Sequence, residues 1–122
     1  MILLKDLGIV HAGLQPEMYY ALGVAAAIRR DFFQMNCVIT SLLDGHHNPD
    51  SLHAKGYAAD IRTLDLNDSE RVKFMDSLKN ELEPLGFDVV WENGVGATAA
   101  TTAAHIHIEF QPKAGETFWH NL

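Results

Sequence analysis

Several things are scarce in this sequence of 122 residues, and each scarcity excludes something. There is one cysteine, Cys37, so no disulfide can form within the chain, and its place before the apolar pair Val38-Ile39 predicts a buried structural thiol. Lysine and arginine total nine, no basic stripe occurs and the formal charge is −7. Nucleic-acid binding needs cations to displace phosphate counterions, so that class is disfavoured. No apolar run approaches the roughly 18 residues of a membrane span, so no membrane partner is expected. The first residues, MILLKDLGIVHAG, lack the basic-then-apolar order of a secretory signal and are expected to belong to the fold. Cytoplasmic synthesis is therefore expected, with release to a cell wall, if it occurs, by a route other than a Sec-type signal.

What remains reads as one domain over residues 1–122, with ordinary apolar content and no internal repeat or linker. Met18, Ala21, Leu22, Ala25, Ile28 and Phe32 recur at helical spacing, which predicts a helix from Pro16 to about Phe33. Cys37–Leu42 and Tyr57–Thr63 read as strands, with an Asp/Gly/His/Asn/Pro-rich loop from Leu43 to Leu52. A second helix is expected to begin at Asn67, capped reciprocally with Glu70, to bury Val72, Met75, Leu78, Leu82 and Leu85, and to stop at Gly86. Phe87–Trp91 and Ala104–Phe110 are strand-like. The expected architecture is α+β, two main helices against a small, mostly antiparallel sheet. The G-x-G-x-x-A string at 94–99 mimics a dinucleotide fingerprint, but a histidine-rich strand follows where that site needs a helix. It is expected to be a hairpin loop.

Histidine is the abundant chemistry. Five of the seven lie in two clusters, His46/His47/His53 and His105/His107. In Ala104-His105-Ile106-His107-Ile108-Glu109-Phe110, strict alternation puts His105, His107 and Glu109 on one face and the apolar residues on the other. A half-exposed strand with its polar side in water is the plain alternative. Zinc takes neutral imidazole nitrogen and carboxylate oxygen, and a catalytic site leaves a position open for water. By that chemistry His53, Asp60 and His107 make a two-His, one-Asp set, with Gly56 permitting the turn between the first two.

The string Ser51-x-His53-x-x-Gly56-x-Ala58-x-Asp60 resembles the S-x-H-x-x-G-x-A-x-D signature of the D-alanyl-D-alanine carboxypeptidase-like metallopeptidases, peptidase family M15. The longer D-G-H-H-x-x-x-S-L-H-x-x-G-x-A-x-D-I-x-T pattern with the later A-H-I-H is similar to the hedgehog signalling domain, which shares that zinc-peptidase fold. The resemblance covers about Thr40 to Thr63 and Asp88 to Phe110. It implies a hedgehog/DD-peptidase-like fold, zinc on His53, Asp60 and His107, and catalytic Glu92 and His105. Ser51, His47 and Arg62 are the substrate-binding candidates it suggests. The implied activity is zinc-dependent hydrolysis of peptide bonds in peptidoglycan, as in a bacterial wall enzyme or phage lysin. The alternative is a hedgehog-like zinc domain without hydrolysis, serving partner binding or a phage accessory role. Three departures accompany the match. The segment from Glu92 to His105 is longer than in the hedgehog pattern. Leu42-Leu43-Asp44 stands where many carboxypeptidases carry a carboxylate-binding arginine, leaving Arg62 as the nearest candidate. Asp44 and Asp50 are sparser than the acidic cluster with which hedgehog domains hold calcium. Neither oligomeric state nor the bond cleaved is legible.

Overall fold

A computed structural model describes residues 2–4, 13–42, 55–92 and 104–111. Strand β1 (Ile2–Leu4) is followed by helix α1 (Pro16–Ile28), β2 (Cys37–Ser41), β3 (Ala58–Arg62), helix α2 (Asp68–Leu82), β4 (Phe87–Glu92) and β5 (His105–Phe110). The strands form one sheet in the order β1-β2-β3-β5-β4. Only β1 runs parallel to its neighbour, β2; the other pairs are antiparallel. The α+β architecture with a mostly antiparallel sheet and two helices is as the hydrophobic periodicities require. Among the described residues no helix is long and apolar enough to cross a membrane.

Pro16 fills the first turn of α1, where its missing N–H costs nothing. Met18, Ala21, Leu22, Ala25 and Ile28 are buried as their spacing demands. Beyond Ile28 the helix widens into a π turn over Arg29–Phe33 and closes on Gln34 in the left-handed region (φ 52°). The wider turn advances the inward position by one residue. Phe32, expected on the buried stripe, is therefore 50% exposed, while Phe33 packs edge-on against Phe74 with ring centroids 6.4 Å apart. Arg29 is wholly buried at this junction. Its guanidinium pairs with Asp65, donates through Nε to the Asn36 carbonyl at 3.1 Å and lies over the Phe74 ring at 5.2 Å.

The cap of α2 is the reciprocal one: Glu70 N donates to Asn67 Oδ1 at 2.8 Å and Asn67 N to Glu70 Oε1 at 2.9 Å. Its buried stripe is Phe74, Leu78 and Leu82, with Met75 and Leu85 half-buried. Val72, assigned to that stripe from spacing, is exposed instead. At about 100° per residue it lies roughly 120° around the helix from Leu78, and Phe74 takes the inward place. A 3-10 turn (Glu83–Leu85) then ends on Gly86 at φ 97°, the stop that its position predicts. Arg71 stacks on Trp91 at 3.7 Å and ties α2 to β4.

Both helices cover one face of the sheet, so that face is apolar: Ile39, Ile61, Ile106, Ile108, Phe87 and Val89 join Met18, Leu22, Phe74 and Leu78 in the core. Burial raises the Cys37 thiol to about 11, in keeping with a structural cysteine. Alternation along the same strands leaves the opposite face to polar residues. The string at 94–99 lies outside the described residues.

Candidate functional site

The register of three strands builds the polar face in rows. Residues directly opposite in an antiparallel pair share a face. Glu92, His105 and Arg62 make one row across β4, β5 and β3; Val90, His107 and Asp60 the next; Asp88, Glu109 and Ala58 the third. A register shift in β2 sets Ser41 opposite Asp60 two residues after Ile39 meets Ile61. That extra residue is a bulge, which re-aims the strand end. It brings Ser41 into the His107–Asp60 row, and the bulged Thr40 donates through Oγ1 to the Asp60 carbonyl at 3.3 Å.

Asp60 is 6% exposed. A carboxylate taken this far out of water needs a hydrogen-bonded or charged partner. His107 Nδ1 stands 2.8 Å from Asp60 Oδ1. The other imidazole nitrogen, Nε2, is 3.3 Å from Glu109 Oε1. Burial alone would lower the His107 pKa, but the Asp60 hydrogen bond and the charges of Asp60, Glu109 and Glu92 outweigh it and hold the ring above its ordinary value. In the next row His105, also buried, has Nε2 3.1 Å from Glu92 Oε2 and 3.6 Å from Asp60 Oδ1. The Glu92 side chain is half-exposed, so one of its faces remains open to water.

Five of the sequence-predicted site residues thus gather on one face. Asp60 and His107 touch, His105 and Glu92 touch, and Arg62 stands opposite His105. The long segment after Glu92 does not carry it away: its Cα pairs with that of His105. Gly56 adopts φ 80°, the turn conformation that its place in the motif calls for. His53, Ser51 and His47 lie outside the described residues. Among the described residues no three His, Cys, Asp or Glu side chains form a complete metal shell. Asp60 and His107 supply one oxygen and one nitrogen donor side by side, a pair that suits zinc. Leu42, directly after β2, is buried.

Two contributors were not assigned a role from the sequence. Glu109 was legible through alternation with His107, yet only the register and the 3.3 Å contact tie it to the ring. Ser41 left no signal, because a bulge is not written in periodicity. No family model matches the chain, and no curated protein is significantly similar to it.

Proposed function

We propose that this chain is a zinc-dependent metallopeptidase of the hedgehog/D-alanyl-D-alanine carboxypeptidase type, acting on peptide bonds of peptidoglycan. The observation that carries the reading is the pairing of Asp60 Oδ1 with His107 Nδ1 at 2.8 Å, flanked by the His105–Glu92 contact at 3.1 Å. Two predicted ligands and two predicted catalytic groups therefore lie in adjacent rows of one sheet face. His53 would be the third ligand, and the sheet with two helices is compatible with the fold that the motifs imply.

Zinc in such a site supplies Lewis-acid polarisation of the scissile carbonyl and acidifies water. The chain's own residues do the rest. Glu92, half-exposed, accepts a proton from the attacking water and returns it to the leaving amine. His105 Nε2, between Glu92 and Asp60, donates a hydrogen bond that orients the Glu92 carboxylate before attack. Rotation away from Glu92 presents the same N–H to the developing oxyanion. Arg62, in the same row, is the cation available to a substrate carboxylate. A second reading is a hedgehog-like zinc domain without hydrolysis, favoured by buried Leu42 at the place of the usual arginine.

Digestion of purified peptidoglycan fragments by zinc-loaded protein, read by mass spectrometry, separates the two. A peptidase yields new fragments that disappear in Glu92→Gln while zinc stays bound. No cleavage of cross-linked or uncross-linked fragments by protein that holds zinc sinks the peptidase and favours the second reading.

A further inference from the structure

Asp60 is held by its main chain as well as by its carboxylate. Phe110 N donates to the Tyr57 carbonyl at 2.9 Å, one step before the Ala58–Glu109 pair. Residues that exchange such bonds alternate along an antiparallel ladder. Residues 57, 59 and 61 therefore bond toward β5, while residues 58, 60 and 62 turn their N–H and C=O toward β2. A regular register continued from the Ile39–Ile61 pair would set Thr40 opposite Asp60. Ser41 stands there instead, which makes Thr40 the extra residue of the bulge.

An extra residue of this kind drops out of the backbone ladder. Thr40 returns to it through its side chain, Oγ1 donating to the Asp60 carbonyl at 3.3 Å. That part-buried bond joins β2 to β3 at the residue whose carboxylate stands beside both site histidines, 2.8 Å from His107 Nδ1 and 3.6 Å from His105 Nε2. The groups of a functional site must be held to within about 0.5 Å of their productive places, and a bulge is where the ladder is disrupted. Resting on the metal reading above, we propose that Thr40 is a positioning residue: its hydroxyl anchors the Asp60 main chain across the bulge and so sets the Asp60 carboxylate for a metal shared with His107. Thr40 lies outside both motifs.

The test compares wild type with Thr40→Val, Thr40→Ser and Thr63→Val. Valine keeps the β-branched shape and strand preference of threonine and removes the donor. Thr40→Ala, which also lacks the donor, repeats the comparison with less bulk. Thr63 is the control: its Oγ1 donates to the Ala104 carbonyl at 3.2 Å, a like bond between neighbouring strand segments at a residue that is no ligand. Zinc affinity is measured against a chromophoric chelator, the visible absorption of cobalt(II) in the site reports ligand geometry, and urea unfolding of metal-free protein reports stability. Thr40→Val is expected to weaken zinc binding roughly 10-fold and to alter the cobalt spectrum, with Thr40→Ser recovering both. Thr63→Val is expected to lose stability yet keep the wild-type affinity and spectrum. A folding role alone would lower the urea midpoint of Thr40→Val and leave the affinity and spectrum of its folded form unchanged. Unchanged affinity and spectrum in Thr40→Val and Thr40→Ala, or an equal loss of affinity in Thr63→Val, overturns the role of Thr40 and leaves the metal reading intact. A wild-type protein that takes up no zinc overturns the metal reading, and the role of Thr40 with it.

Discussion

Gly56 joins the segment leading into β3 to the start of α1, and replacing it with alanine probes that join. At φ 80° an L-residue bears a penalty of about 1–2 kcal/mol. The added Cβ would also sit 2.3 Å from the Gly13 carbonyl oxygen, 3.2 Å from its carbon and 3.3 Å from Gln15 N. All three are backbone atoms, so no side chain can swing aside. Relief must come from backbone displacement, which strains the Gln15 N–H to Gly56 carbonyl bond at 3.0 Å. Overpacking of this kind costs roughly 1–3 kcal/mol, bringing the expected loss to about 2–5 kcal/mol. Against a typical stability of about 5–15 kcal/mol that is a large fraction. Urea unfolding of zinc-free protein should show a lower midpoint at unchanged slope. Gly23→Ala is the internal control. It lies in α1 with nothing within 4 Å of the new Cβ, and should gain up to about 1 kcal/mol from helix propensity. A Gly56→Ala loss below about 1 kcal/mol would refute the close packing of these two backbone segments.

Other perturbations have equally definite outcomes. Asp65→Ala strips the partner from wholly buried Arg29, and a loss near 3 kcal/mol is expected in chemical denaturation, the lower end for a buried pair because Asp65 is about one-third exposed. Desolvation raises the Cys37 thiol from 9.0 to about 11, the neighbouring Arg29 charge opposing it. The folded state therefore holds that proton more tightly, and stability present below pH 9 should fall by about 3 kcal/mol between the two values, which Cys37→Ala removes from the pH profile. His107 in the zinc-free chain is raised above 6.5 by its carboxylate neighbours, net of burial. Its contribution to stability should be complete below pH 6.5 and lost as pH rises through the higher folded value, a dependence absent from His107→Gln.

Much of this was legible because periodicity and capping act locally. The α1 stripe up to Ile28, the Asn67–Glu70 cap, the Gly86 stop and the polar side of β5 each follow from neighbours within a few residues. Misreadings arose where a distant contact decides. The π turn at Arg29–Phe33 moves Phe32 outward and Phe33 inward, and it accompanies the burial of Arg29 against Asp65, a partner 36 residues away. Phe74 displaces Val72 from the α2 stripe by meeting Phe33 and the Arg29 guanidinium. The parallel strand at Ile2–Leu4 was not resolved beyond its belonging to the fold, since its pairing with Cys37–Ile39 is non-local. At the candidate site residue chemistry marked Asp60 and His107 and the motif resemblance added His105 and Glu92, while strand register supplied their adjacency and the link to Glu109.

The most direct test of the central claim is an equilibrium zinc titration of wild type beside Asp60→Asn and His107→Ala, with each variant shown to fold by circular dichroism. One tightly held zinc per wild-type chain is expected, and none held with comparable affinity by either variant. Absence of zinc from the wild type, or equal zinc uptake by folded Asp60→Asn and His107→Ala, would contradict it.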